Sequence, residues 1–373
     1  MEGKRLTSIL AVMALVVGAC SSGATTAPSA APASVAAASA APASTAPSAA
    51  PASVAPASAS PAGAAPLIAF SQEGMENQWR TENTNSIMDT GRAAGYNMIW
   101  QQGAGDQLQQ NAQVQDLLTR KPAVLIVEPA EQQAATPIGG FADAAGIPII
   151  VADRAIGGTP GTGMFKTLIT VNWESVGVGL GKAAVATLKA KTGKEEGSIV
   201  ELAGTIGSSP QIGMDKGFQS VISKYPGIKV AAVQDGKNER APGLAIMETF
   251  LTRYPKGQIQ LVWAQNDEMG LGALKAIQAA NRSELIGSII TKDATLAGIQ
   301  AVVDGNFSTV CSNSPYFGPI IMPYVAKLLN GETIPATVDK PFTCFENLTD
   351  AGKADVKAML DEMVKTSAKF ATR

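Results

Sequence analysis

The chain has 373 residues, 29 of them basic and 31 acidic, with three cysteines and no histidine. The near balance of charge excludes a basic nucleic-acid-binding surface as the main business of the protein. The lack of histidine excludes Ser-His and Cys-His nucleophile systems, and with so few cysteines it leaves little for a structural zinc site.

The first twenty residues have the parts of an export signal. Lys4 and Arg5 precede an uncharged run over 6–17 that is too short to span a bilayer comfortably. Val17-Gly18-Ala19-Cys20 closes that run and resembles the bacterial lipoprotein cleavage box, which implies acylation of Cys20. The alternative is a plain secretory signal with an incidental cysteine. Residues 21–65 are nearly all Ala, Pro and Ser, without charge or aromatic groups. Such a segment cannot bury enough apolar surface to offset its ordering entropy. It reads as a tether, reaching about 140 Å if extended at about 3.1 Å per residue.

From about residue 66 the chain is long enough for two ordinary domains. Short apolar runs alternate with helical stretches. Strands are expected at 67–70, 98–100, 123–127, 148–152 and 168–171, with helices at 77–95, 107–120 and 131–145 between them. The pattern then restarts. Helices are expected at 175–192, 211–225, 244–253 and 269–280, and strands at 197–202, 230–233, 261–264 and 286–291. Uninterrupted apolar strands separated by helices mark parallel sheets covered on both faces, so two tandem βαβ series predict two doubly wound lobes.

Ligands of open parallel sheets bind beyond the carboxyl ends of the strands. There the sequence places Ser71-Gln72-Glu73, Asp153-Arg154, Gln265-Asn266-Asp267 and Lys292-Asp293. Some of these residues suit helix caps, but Arg154 and Asp293 are not needed for capping. Carboxylates, amides and arginines meeting at one cleft satisfy several hydroxyl groups together. Trp79, at the start of the first helix, is the candidate aromatic platform, with core packing as its alternative. No Gly-x-x-x-x-Gly-Lys-Ser/Thr loop occurs, and the glycine-rich stretch 157–163 contains a proline and leads into a strand. Catalysis is therefore not expected, and neither a cofactor nor a metal is called for. Cys311 and Cys344 are an even pair for an exported chain and read as either a disulfide or two buried thiols.

The segment 262–273, Val-Trp-Ala-Gln-Asn-Asp-Glu-Met-Gly-Leu-Gly-Ala, resembles ribose-type periplasmic binding proteins. Residues 70–80, 201–207 and Asp153-Arg154 are similar to a galactofuranose-binding member. The resemblance implies a type I periplasmic-binding fold: α/β, with two doubly wound parallel-sheet lobes joined by a three-crossover hinge. The expected division is a signal over 1–20, a tether over 21–65, a first lobe from 66–172 plus 314–340, and a second from 173–313 plus 341–373. The implied function is capture of a monosaccharide, in furanose-form hexose or pentose, for an ABC transporter whose permease subunits work with a cytoplasmic ATPase. The implied form is a monomer held to the outer face of the membrane by its lipid anchor. A lipid-anchored sensor presenting sugar to a membrane receptor stays open as the alternative.

By motif match, Ser71, Glu76, Asn77, Trp79, Arg80, Asp153 and Arg154 contact the ligand from the first lobe. Arg240, Asn266 and Asp293 do so from the second, with Ser312 near a hinge. The segment 212–216, Ile-Gly-Met-Asp-Lys, departs from the family pattern, in which an arginine usually faces the ligand. The resemblance places Cys311 and Cys344 by the second and third crossovers, where a bond would tie two hinge strands.

Overall fold

A computed structural model describes residues 64–372. The proposed signal, Cys20 and nearly all of the expected tether lie outside these residues. No helix among the described residues is long and apolar enough to cross a membrane.

The first series runs β1 (Leu67–Gln72), α1 (Gln78–Ala93), β2 (Asn97–Gln102), α2 (Gln107–Thr119), β3 (Val124–Glu128), α3 (Pro137–Ala145), β4 (Ile149–Ala152) and β5 (Phe165–Val171). The second runs α4 (Trp173–Thr192), β6 (Gly197–Ala203), α5 (Ser209–Ile222), β7 (Ile228–Asp235), α6 (Arg240–Arg253), β8 (Leu261–Ala264), α7 (Asp267–Ala279), β9 (Ile289–Asp293), α8 (Leu296–Val303) and β10 (Thr309–Ser312). The chain ends with α9 (Gly318–Leu329), β11 (Thr337–Lys340), β12 (Cys344–Glu346) and α10 (Asp350–Thr366).

Two six-stranded sheets result, in the orders β11-β5-β4-β3-β1-β2 and β12-β10-β9-β8-β6-β7. Every pairing is parallel except β10 with β12. Successive side chains of a strand point to opposite faces, which explains the unbroken apolar runs. Ile68 and Phe70 join the core on one face of the first sheet, while Ala69 joins the core on the other. In the second sheet Val200 and Leu202 face one core and Ile199 the other.

The chain passes between the sheets three times: after β5, after β10 and after β11. Cys311 and Cys344 are opposite each other in the antiparallel β10–β12 pair and are joined by a disulfide beside the second and third passages. Lys340 also ties these passages, donating a hydrogen bond to the Ser314 carbonyl oxygen. The tail crosses back as well. Phe370 packs in the core of the first lobe, while its neighbour Ala371 donates to the Ala294 carbonyl of the second.

Element boundaries differ from expectation at helix starts. Residues 132–136 form turns, and α3 begins only at Pro137, whose missing N–H suits the first helical turn. Helix α6 begins at Arg240, four residues before the expected start. Helices α4 and α5 touch so closely that a Cβ at Gly177 would meet the Met214 carbonyl oxygen, and one at Gly217 the Glu174 carbonyl oxygen. Those glycines serve helix packing and not a ligand.

Candidate functional site

The carboxyl ends of the strands in both sheets face one cleft, and two small adjoining cavities lie there. Arg80, Asp153, Arg154, Asn238 and Lys292 line both. Thus α1 and the end of β4 supply one wall, and the loop after β7 and the end of β9 supply the other.

Arg80 is the electrostatic centre. It sits in the first turn of α1, which Asn77 caps by accepting from the Arg80 backbone N–H at 3.0 Å. Its Nη1 lies 2.9 Å from Asp153 Oδ2 and 3.0 Å from Glu128 Oε2, and its Nη2 lies 2.8 Å from Glu73 Oε1. Glu76 adds a longer contact to Nε at 3.4 Å. Burial opposes the charge on Arg80, but the surrounding carboxylates outweigh it and hold its pKa well above the ordinary guanidinium value. Arg154 shares Glu73, with Nη2 at 2.6 Å from Oε1, and donates from Nη1 to the Ala130 carbonyl.

The carboxylates respond differently to the same burial. Burial pushes Asp153 up, but Arg80, Arg154, Lys292 and Lys340 more than offset it, so Asp153 stays below the usual carboxylate range. Burial wins at Glu73 and Glu128, both pushed up to about 7 despite the arginines. Burial also raises Asp293, whose Oδ1 takes a contact from Lys292 Nζ at 2.8 Å. Asp153 and Asp293 both have left-handed backbone, φ 56° and 111°, which is uncommon for residues with a side chain and recurs at ligand sites.

Three buried polar atoms around the second cavity lack a hydrogen-bond partner: Asp153 Oδ1, Arg154 Nε and Asn313 Oδ1. Buried polar groups are normally satisfied, so this cavity stands out by leaving one donor and two acceptors open.

Of the expected site residues, Glu76, Asn77, Trp79, Arg80, Asp153, Arg154, Asn266 and Asp293 line this cavity. Trp79 does two jobs. It packs edge-on to Phe317 in the core, and its Nε1 donates to the Asn313 carbonyl at 2.6 Å. Its ring also carries the Arg80 guanidinium at 4.7 Å.

The structure does not bring three expected residues to either cavity. Ser71 points into the first lobe, where its Oγ accepts from Gln110 Nε2. Arg240 forks onto Glu268 at 2.8 and 3.0 Å in a separate surface groove with Gln78 and Leu296. Ser312 lines a cavity at the crossovers, and its Oγ accepts from the Thr343 backbone N–H. Each has a partner within the protein that draws it away from the cleft.

Asn238 and Asn313 line this cavity although the reading of strand ends does not single them out. Lys292, at the end of β9 where reading strand ends places it, lines the cavity beside Asp293. Asn313 follows β10, a strand not anticipated. Asn238 lies on the loop after β7 with φ 60°, and its carbonyl accepts from Asn77 Nδ2 of the first lobe and Asn266 Nδ2 of the second. A Lys-Asn pair directly after a glycine beyond a strand was the available signal.

Asp215 lies behind the cleft wall and not in it. Gln265 Nε2 donates to both Asp215 Oδ1 at 2.6 Å and Glu201 Oε1 at 2.7 Å, and Gln211 donates to Asp215 Oδ2. Burial and the neighbouring Asp215 push Glu201 up to about 9, so it is neutral at pH 7. Gln211 and Gln265 line the first cavity, held by this carboxyl pair.

Residues 68–333 match the periplasmic binding protein domain. The chain belongs to that family. It is an exported solute-binding protein and not an enzyme. The chain is 31% identical over 243 residues to the ribose import binding protein of Escherichia coli (strain K12), covering 65% of this chain and 77% of that one. A Mycobacterium smegmatis structure in complex with β-D-fucofuranose is 33% identical, with TM-score 0.72 over 82% of this chain and 97% of that one. The binding protein of an arabinose ABC transporter from Shewanella sp. ANA-3, bound to α- and β-L-arabinofuranose, is 26% identical, with TM-score 0.72 over 81% and 97%.

Proposed function

We propose that this protein captures a neutral monosaccharide, in furanose form, and delivers it to the permease of an ABC-type importer. The carrying observation is the trio of buried atoms without a hydrogen-bond partner, on Asp153, Arg154 and Asn313, at one cavity between the lobes. Every cation at the cavity already has a protein carboxylate: Arg80 and Arg154 share Glu73, and Lys292 has Asp293. A neutral polyol therefore suits the cleft better than an anionic sugar. The furanose assignment draws on the sugars in the two similar complexes.

Asn77, Trp79, Arg80, Asp153 and Arg154 hold the sugar from the first lobe. Asn238, Asn266, Lys292 and Asp293 complete it from the second, with Asn313 at the hinge. Because these groups lie on both lobes, ligand contacts all of them only when the lobes close, and so shifts the population toward closure. The closed form is what the permease reads. A lipid on Cys20 and the tether after it keep the body near that permease as a monomer.

Calorimetric titration with ribose, arabinose, galactose and fucose tests the reading. One of them binds one-to-one in the wild type, and binding is lost in Asp153→Ala. Absence of binding across the panel, in folded protein freed of carried-over sugar, overturns it. Mass spectrometry of the mature N-terminus tests the anchor, with an unmodified Cys20 counting against it.

A further inference from the structure

Beyond the two inner cavities the cleft opens into a third space of about 600 Å³. It is much larger than either inner cavity. Its walls come from both lobes, with Glu76, Gln102 and Glu131 on one side and Thr205, Ile206 and Glu239 on the other.

This chamber is not a gap left by open lobes. The lobes already touch directly beside it. The Gln132 backbone N–H donates to the Gly207 carbonyl at 2.9 Å, the Ala155 N–H to Ser209 Oγ at 2.8 Å, and Asn77 Nδ2 to the Asn238 carbonyl at 3.1 Å. Closure therefore seals the flanks and leaves the chamber standing. It also adjoins the inner site. Glu76 lines both the chamber and one inner cavity, and Thr205 lines both the chamber and the other.

The chamber's chemistry matches a second hydroxyl-bearing unit. Glu76, Glu131 and Glu239 offer hydroxyl acceptors, Gln102 offers both a donor and an acceptor, and Ile206 presents an apolar side chain that is 52% exposed. We propose that the protein takes glycosides as well as free sugar: one ring in the inner cavities, and the unit attached to it in the outer chamber with the lobes closed. This rests on the sugar-binding reading of the same cleft.

The test is calorimetry on the wild type and Ile206→Trp, a substitution that fills the chamber from an exposed position. The ligands are ribose, arabinose, galactose and fucose, their methyl and 4-nitrophenyl glycosides, and disaccharides built from them. The expected result is that at least one glycoside or disaccharide binds within tenfold of its parent sugar. Ile206→Trp then weakens that compound at least tenfold and leaves the parent sugar within threefold. If parent sugar binds and every substituted form is more than tenfold weaker, the proposal is overturned while the sugar-binding reading stands. It is also overturned if substituted forms bind but Ile206→Trp does not separate them from the parent. If nothing in the set binds, both fall together.

Discussion

Asp153 Oδ2 lies 2.9 Å from Arg80 Nη1, and that bond leaves Asp153 Oδ1 without a hydrogen-bond partner beside the cleft cavity. One carboxylate thus serves two purposes. One oxygen is fixed to the buried guanidinium, and the other stays open beside the cavity.

Asp153→Asn keeps the size of the side chain but removes its charge. A hydrogen bond to a charged group contributes about 1.5–3 kcal/mol, so sugar affinity falls by about 10- to 100-fold. The fold persists, because Arg80 keeps Glu73 and Glu128. Calorimetry alongside a denaturation midpoint separates the two effects. Unchanged affinity would remove Asp153 from the site.

Asn266 caps α7 by accepting from the Met269 backbone N–H at 2.9 Å and also donates to the Asn238 carbonyl at 2.9 Å. Asn266→Ala loses the cap, about 1 kcal/mol, and a bond that shapes the cleft wall. We expect a stability loss of about 1–2 kcal/mol in urea unfolding, together with weaker sugar binding. Asn266→Asp retains the cap but not the donor, so it restores stability more fully than affinity.

Glu201 supplies a pH prediction. Its pKa is raised from 4.5 to about 9 in the folded protein, by burial first and then by Asp215. The folded state therefore holds a proton that the unfolded state releases above about pH 4.5. This contribution to stability is full below that pH and is lost as pH rises toward 9. Glu201→Gln keeps a neutral side chain at every pH, so its stability declines less than that of the wild type between pH 5 and 9. Parallel unfolding curves for the two proteins across that range would refute the assignment.

The disulfide closes a loop with a sequence separation of 33 residues. Chain-entropy reasoning puts its contribution at about 3–4 kcal/mol. Replacing both cysteines with serine lowers the urea midpoint accordingly. The sugar contacts stay in place, since neither cysteine lines a cleft cavity. A large loss of affinity in the folded double variant would instead give the bond a part in closure.

Much of this protein was legible in one dimension. Unbroken apolar runs such as 124–127 and 149–152 can only be buried on both faces, so they specify parallel sheets, and strand ends then point to Asp153, Arg154, Asn266, Lys292 and Asp293. The restart of the pattern after 171 marks a second lobe. Only the tertiary structure decided which polar groups are already satisfied. Arg240 belongs to Glu268, Ser71 to Gln110 and Ser312 to Thr343, whereas Asn238 and Asn313 reach the cleft from loops that local pattern does not single out. The physical reason is that burial and periodicity are properties of a segment, readable along the chain. Hydrogen-bond partnership is a property of pairs distant in sequence, and it exists only once the two lobes and their crossovers bring those pairs together.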